Sequence, residues 1–218
     1  MCGIFGIISD QKINNSHLRK LALNARQRGR DSSGLIYHNN DSYTIKRASY
    51  DIKKLLNEQQ SFDTKIIMGH SRLITDGLND NQPVIRDDVC VIHNGIIVNN
   101  DKIWKDLELT RNLQIDTEVI NGIVISHLNQ NGQINDIANE VISRCKGTIS
   151  CVLLLAKKGK IIFFSNNGSL YKGEIEDDIY FSSESYALKK INCSEIKQIW
   201  SDAFIIDIPK SNNIMLND

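Results

Sequence analysis

The chain has 218 residues, of which 41% are hydrophobic, and its 26 basic side chains balance 26 acidic ones. This composition is ordinary for a globular protein, and the neutral balance gives no sign of a nucleic-acid or acidic-membrane partner. No apolar run approaches the roughly 18 residues that a membrane-spanning helix needs. The five cysteines lack the spacing of a zinc site or of a disulfide framework, so we expect a cytoplasmic protein.

Hydrophobic periodicity predicts alternating strands and helices along the chain. A short buried strand over 4–8 comes first, and a helix over 16–28 with Ser16 as its N-cap follows. The later helices are expected at 50–59, from Asp116 onward, at 134–145 and at 184–190. The later strands are expected at 33–38, 43–48, 65–69, 89–92, 148–156, 160–165, 169–174, 178–182, 196–200 and 203–208.

Two strands indicate the architecture, because "ISCVLLLA" and "IIFF" are apolar on both faces instead of alternating. The turn-like stretch 157–160 between them predicts a hairpin. Antiparallel strands that are buried on both faces fit an α+β protein with two stacked, mainly antiparallel sheets covered by helices, an αββα layering. A single sheet between helices is the main competitor.

Cys2 lies directly behind Met1 and at the start of the first predicted strand, within "MCGIFGIISD". A buried free cysteine often acts only as a small hydrophobic side chain. This stretch alone leaves open whether Cys2 is only such a side chain or has a functional role.

Four polar loops carry the functional signal: "RGRDSSG" (28–34), "GHSRLITDG" (69–77), "HNG" (93–95) and "DTE" (116–118). Each loop alone is more typical of a turn. Together with Met1-Cys2-Gly3, and in this order, they resemble the glutaminase domain of class II glutamine amidotransferases. Glucosamine-6-phosphate synthase and asparagine synthetase carry versions similar to these. The resemblance covers essentially the whole chain, 1–218, as one glutaminase domain, and it implies the four-layer N-terminal-nucleophile (Ntn) hydrolase sandwich.

The resemblance implies roles for the catalytic groups. Removal of Met1 frees the amine of Cys2, which then acts as the base for the Cys2 thiol. The side-chain amide of Asn94 and the backbone N–H of Gly95 form the oxyanion hole, and Arg28 orients the nucleophile's terminus. Without the other motifs, Asn94-Gly95 would be predicted as a hairpin turn.

The resemblance also implies how free glutamine is bound. Arg72 offers a bidentate fork to the α-carboxylate and Asp116 a countercharge to the α-ammonium. The alternatives without function are that Arg72 is a surface arginine and that Asp116 is a helix N-cap. Asp116 could also act as countercharge and N-cap at once. Leu73, Thr75 and Asp76 lie where the family's glutamine loop makes further contacts.

Some positions depart from a single pattern. At position 73 the asparagine synthetases also carry leucine, whereas the hexosamine-forming enzymes carry tryptophan. In contrast, Asn94-Gly95-Ile96 is similar to the hexosamine-forming enzymes. This mixture leaves the ammonia acceptor open. His70 and His93 lie beside the site, and a Cys–His thiol hydrolase is conceivable, but we expect both histidines to be structural.

The predicted function is hydrolysis of the side-chain amide of L-glutamine, without metal or cofactor. The ammonia passes to a synthetase domain or subunit that is on another chain or missing from this sequence. A non-catalytic, glutamine-sensing or partner-binding member of the same fold is the alternative. An Ntn peptidase or acylase is a third class, which Arg72 and Asp116 disfavour because they would recognise a free amino acid.

Overall fold

The computed structural model describes residues 2–74 and 80–216. Its helices are α1 (Asn15–Ala25), α2 (Ile52–Asn57), α3 (Asn100–Asp106), α4 (Glu118–Asn129), α5 (Ile137–Arg144) and α6 (Ser185–Lys189). Its strands are β1 (Gly3–Ile8), β2 (Ser32–Asn39), β3 (Ser42–Ala48), β4 (Ile66–Arg72), β5 (Val84–Arg86), β6 (Val89–Ile97), β7 (Gly147–Leu155), β8 (Lys160–Ser165), β9 (Tyr171–Ile175), β10 (Asp178–Ser182), β11 (Ser194–Gln198), β12 (Phe204–Asp207) and β13 (Asn213–Leu216).

The strands form two sheets. The larger has eight strands in the order β11-β9-β10-β1-β4-β2-β3-β13, and the smaller has five in the order β12-β8-β7-β6-β5. Neighbouring strands are antiparallel, apart from the parallel pair of β13 and β3. The predicted pair of mainly antiparallel sheets is therefore confirmed, and the single-sheet competitor is wrong.

Three hydrophobic layers hold the sheets and helices together. The apolar side chains of α1, α2 and α6 pack on the outer face of the larger sheet, and those of α3, α4 and α5 pack on the smaller one. The third layer lies between the sheets, where Ile4, Met68 and Phe181 meet Ile92 and Phe163. The layering is αββα, as predicted.

Strand β7 shows why its sequence lacks alternation. Val152 and Leu154 face the other sheet, whereas Leu153 and Leu155 face the helices. Both faces of the strand are buried, so both must be apolar. The hairpin between β7 and β8 is formed as predicted, with Leu155 opposite Lys160.

The ends of α1 differ from the prediction. Asn14, not Ser16, is the N-cap, and its side-chain oxygen accepts from the backbone N–H groups of Ser16 and His17. Asn14 lies two residues before Ser16 and caps a helix equally well, so α1 begins at Asn15 and Ser16 falls within its first turn. The helix ends at Ala25, so Arg28 lies in the following turn.

Two strands extend further than their hydrophobic patterns predict. β4 continues through Arg72, and β6 continues through Asn94 and Gly95 to Ile97. The polar residues at 69–72 and 93–95 thus lie in sheets, and the hairpin-turn interpretation of Asn94-Gly95 is wrong. Polar side chains occupy these strand ends because they face a site and not the apolar core.

Other elements were missed or shifted. The prediction omitted β5, α3 and β13, and the helix expected over 134–145 is a 3₁₀ turn (Ile134–Asp136) followed by α5. The remaining elements are formed with small shifts at their ends.

Candidate active site

Cys2 lies just before β1 and is held from two sides. Its backbone N donates to Asn94 Oδ1 at 2.9 Å, and its carbonyl oxygen accepts from Arg28 Nε at 2.8 Å. Its Sγ lies 3.7 Å from the carbonyl oxygen of Leu73. Strand β1 is central in the larger sheet, whereas Asn94 belongs to the smaller sheet. The site therefore forms where the ends of the two sheets meet.

The environment of the Cys2 thiol disfavours its thiolate form. Burial raises the pKa of the thiol above its ordinary value, and the carboxylate of Asp116 adds to this, while the guanidinium of Arg72 opposes it. A thiol must lose its proton to become a strong nucleophile. A nucleophilic role for Cys2 would therefore require a base beside it.

Asn94 presents a hydrogen-bond donor that nothing in the described part of the chain accepts. Its side chain is 1% exposed, and its Oδ1 is used by the Cys2 backbone N. Its Nδ2 is buried and has no hydrogen-bond partner among residues 2–74 and 80–216. A buried polar group without a partner costs about 1–3 kcal/mol. The donor is therefore suited to receive an oxygen of a bound molecule.

Gly95 lies beside Asn94 at a place where only glycine fits. It pairs with Ile149 across β6 and β7. A Cβ added to Gly95 would lie 1.8 Å from the carbonyl oxygen of Thr148. The missing side chain lets the backbone of β6 lie close to β7.

Arg72 ends β4 and is 2% exposed. Its Nη1 donates to the carbonyl oxygen of Asp80. A Cβ on Gly29 would lie 2.3 Å from the Arg72 carbonyl carbon, which explains a glycine between Arg28 and Arg30. Arg72 is thus a buried arginine, and the alternative that it is a surface arginine is wrong.

Asp116 is 6% exposed, and its carboxylate bonds to the end of β6. Its Oδ2 accepts from Ile97 N at 2.7 Å, and its Oδ1 lies 3.9 Å from His93 Nδ1. Helix α4 begins at Glu118, its N-cap is Thr117, and no side chain caps it. The predicted capping role of Asp116 is wrong, because its carboxylate turns toward the end of β6. Its charge acts on the Cys2 thiol together with that of Arg72.

Both histidines beside the site bond to other groups than the thiol. His70 Nε2 donates to the carbonyl oxygen of His93 at 3.1 Å. Burial lowers the pKa of His70 to about 3, and the charge of Arg72 acts in the same direction. The ring of His93 lies 3.3 Å from both Thr117 Oγ1 and the Thr148 carbonyl oxygen. This geometry supports the structural roles predicted for the two histidines and gives no Cys–His pair.

Gln82 is a buried residue of the site to which the sequence analysis gave no role. Its Oε1 accepts from His93 N at 2.7 Å, and its Nε2 donates to Thr117 Oγ1 at 3.1 Å. It thereby connects β6, just before Asn94, to the residue after Asp116. The one signal that could have found it is a polar residue before Pro83 in the loop that follows the arginine motif.

The sequence analysis also gave no role to Ser183 and Glu184, which directly follow β10. Glu184 Oε1 accepts from Arg28 Nη1 at 2.6 Å. Ser183 Oγ accepts from Ile4 N at 2.8 Å. The end of β10 thus holds both the start of β1 and the arginine that bonds to Cys2.

Thr75 and Asp76 lie outside the described residues. Among the residues that are described, no three His, Cys, Asp or Glu side chains come together in a way that could hold a metal ion. In the same residues, no helix is long and apolar enough to cross a membrane.

The two stacked sheets, with a cysteine at the head of a central strand, define an N-terminal-nucleophile amidotransferase fold. The solved structure of glutamine phosphoribosylpyrophosphate amidotransferase from B. subtilis has this fold. It matches 94% of this chain and 47% of its own with a TM-score of 0.78, at 20% sequence identity.

Sequence comparisons give the family. The glutamine amidotransferase domain family matches residues 70–190. A glutamine–fructose-6-phosphate aminotransferase (isomerizing) from Wigglesworthia glossinidia brevipalpis is 33% identical over 181 residues, 78% of this chain and 29% of the relative. The protein of that name from Helicobacter pylori is 26% identical over 193 residues, 84% of this chain and 32% of that relative. The chain belongs to the glutamine amidotransferase domain family. It spans about a third of the length of these curated relatives.

Proposed function

We propose that this chain hydrolyses the side-chain amide of L-glutamine to glutamate and ammonia, with Cys2 as the N-terminal nucleophile after removal of Met1. One observation carries the proposal. The backbone N of Cys2 bonds to Asn94 Oδ1 at 2.9 Å, and the buried Nδ2 of the same side chain has no partner in the described part of the chain. Once Met1 is removed, the freed amine, the thiol and the Asn94 donor would supply a base, a nucleophile and an oxyanion donor in one place.

The first half of the reaction forms a thioester. The free amine of Cys2 takes the thiol proton, and the sulfur attacks the amide carbon of glutamine. The negative charge that develops on the amide oxygen is stabilised by Asn94 Nδ2 and the backbone N–H of Gly95. When the C–N bond breaks, the ammonium of Cys2 gives its proton to the leaving nitrogen, and ammonia departs.

The second half releases glutamate. The amine of Cys2 takes a proton from a water molecule, whose oxygen attacks the thioester carbon. The same two donors stabilise the second oxyanion. The C–S bond then breaks, the sulfur regains a proton, and the enzyme returns to its starting state.

Two buried charges select a free amino acid. Arg72 binds the α-carboxylate and Asp116 binds the α-ammonium of glutamine, and both charges act on the Cys2 thiol. Leu73, Thr75 and Asp76 contribute further substrate contacts. Arg28 positions the Cys2 backbone through its 2.8 Å bond to the carbonyl oxygen.

We further infer that residues 1–218 work as one glutaminase domain, whose ammonia passes to a synthetase domain or subunit. The names of the relatives, which are aminotransferases acting on fructose 6-phosphate, support an aminating partner. The acceptor itself stays open. All five cysteines are free thiols, which supports a reducing, cytoplasmic location.

The proposal is tested by measuring ammonia and glutamate release from L-glutamine by the wild-type chain and by Cys2→Ala and Cys2→Ser. Cys193→Ala is the matched control, because Cys193 is also a partly buried free thiol. We expect activity in the wild type and the control and none in Cys2→Ala. Glutamine binding without release of ammonia in the wild type would favour the non-catalytic alternative.

A further inference from the structure

Asp80 joins the end of β4 to the segment that carries Asp116. Its backbone carbonyl oxygen accepts from Arg72 Nη1. Its carboxylate Oδ2 accepts from Gln114 N at 2.5 Å and from Ile115 N at 2.9 Å. Asp80 therefore bonds to the side chain of Arg72 and to the two residues directly before Asp116.

The segment before Asp116 has no regular structure of its own and is held by carboxylates. Glu118, which is 2% exposed, accepts from Asn112 N at 3.1 Å and from Leu113 N at 2.8 Å. Asp80 holds the next two residues in the chain. Bonds from backbone N–H groups to a carboxylate are stronger than those between neutral groups. Glu118 belongs to α4 beside the segment, whereas Asp80 connects the segment to Arg72.

We propose that Asp80 is a positioning residue for glutamine recognition, which sets the distance and orientation between Arg72 and Asp116. The proposal rests on the proposed function. The α-carboxylate and α-ammonium of an amino acid sit on one carbon, so their partners must be correctly spaced. A displacement of about 1 Å in such a site can lower the reaction rate by about 100-fold. Asp80 acts on binding through these two residues and takes no part in bond breaking.

Steady-state kinetics of glutamine hydrolysis separate this role from a general loss of structure. We expect Asp80→Ala to raise KM for glutamine by about 10-fold to 100-fold, with kcat changed far less. Asp80→Asn keeps the size and one acceptor oxygen, so its KM should lie between those of Asp80→Ala and the wild type. Asp51→Ala is the matched control, because Asp51 also accepts from two backbone N–H groups, at the start of α2, and also binds an arginine.

Two labelling rates give a readout that does not need turnover. A diazoketone analogue of glutamine carries both α-charges, whereas iodoacetamide carries neither and reports only on the thiol. In Asp80→Ala, labelling of Cys2 by dilute diazoketone should slow by the same factor as KM rises, and labelling by iodoacetamide should stay within about twofold of wild type. If Asp80→Ala does not fold, Asp80→Asn carries the comparison.

An unchanged KM and an unchanged diazoketone rate in a folded Asp80 variant would overturn the proposal. Equal slowing with both reagents would also overturn it, because Asp80 would then affect the thiol and not glutamine recognition. Failure of the proposed function looks different. In that case the wild type itself would release no ammonia, and the diazoketone would label Cys2 no faster in the wild type than in unfolded chain.

Discussion

The backbone nitrogen of Cys2 and the side-chain oxygen of Asn94 lie 2.9 Å apart, although 92 positions separate them in the chain. Cys2 directly precedes β1 of the larger sheet, and Asn94 belongs to β6 of the smaller one. The contact joins the proposed base to the residue that would stabilise the oxyanion. One asparagine therefore holds the nucleophile with its oxygen and offers its nitrogen to the substrate.

Two substitutions test the donor function of Asn94. Asn94→Asp keeps an acceptor for the Cys2 amine but has no N–H to donate, and Asn94→Ala removes both. Loss of one oxyanion donor lowers turnover by about 10²–10³-fold. We expect a fall of this size in kcat for both variants, measured by ammonia release, with KM little changed. A change in KM alone would show that Asn94 only binds substrate.

Arg72 should govern affinity. Removal of one partner from a buried charge pair costs about 2–5 kcal/mol, so Arg72→Ala should weaken glutamine binding mainly. Arg72→Lys keeps the charge but loses the planar fork, so its affinity for glutamine should lie between those of the wild type and Arg72→Ala. Calorimetric titration with glutamine, in a Cys2→Ala background that cannot turn over, measures this directly. Unaltered binding in a folded Arg72→Ala chain would contradict the assignment.

Arg28 should act through the orientation of Cys2. Its guanidinium bonds to the Cys2 carbonyl oxygen at 2.8 Å and to Glu184 at 2.6 Å. The Arg28 side chain is 12% exposed and that of Glu184 is 45% exposed, so the pair adds at most about 1 kcal/mol to stability. We expect Glu184→Gln to lower kcat by up to about tenfold, since a misplaced nucleophile reacts slowly, with little change in melting temperature. A drop in melting temperature with kcat preserved would assign the pair to stability instead.

His70 should make the fold sensitive to acid. Its pKa falls to about 3 in the folded chain from an ordinary value of 6.5. The unfolded chain therefore binds a proton at this residue between these two values, and the folded chain does not. Stability should fall as the pH drops below about 6.5, by up to about 1.4 kcal/mol per pH unit from this one group. Chemical denaturation should show that the free energy of unfolding falls less between pH 7.5 and pH 5 in His70→Gln than in the wild type. His127→Gln, in the last turn of α4, is the control, and an equal effect of the two substitutions would contradict the prediction.

The sequence predicted the layers of the fold because burial leaves a local pattern. β7 is apolar on both faces, and such a strand needs cover on both sides. β13 was missed because its residues are mostly exposed and its partner is distant: Asn213 pairs with Ser42. The early start of α1 was missed because Asn14 and Ser16 cap helices equally well.

The site was predicted in part, through motifs that resemble a known family. The structure brings Arg28, Arg72, Asn94 and Asp116 around Cys2, whereas the predicted positions Thr75 and Asp76 are not described. The contacts of Gln82 and Asp80 could not be predicted from the sequence because they join distant segments. Asp80, for example, bonds to backbone N–H groups 34 and 35 positions further along the chain. No local pattern encodes such a contact.

The central claim is that the free amine of Cys2 and its thiol form one catalytic unit. The most direct test is the intact mass of the wild-type chain before and after reaction with the diazoketone analogue of glutamine, followed by peptide mapping. We predict a chain without Met1 that gains one adduct, on Cys2, and that is protected by excess L-glutamine. A chain that retains Met1 and still releases ammonia from glutamine, or an adduct on another cysteine, would contradict the account.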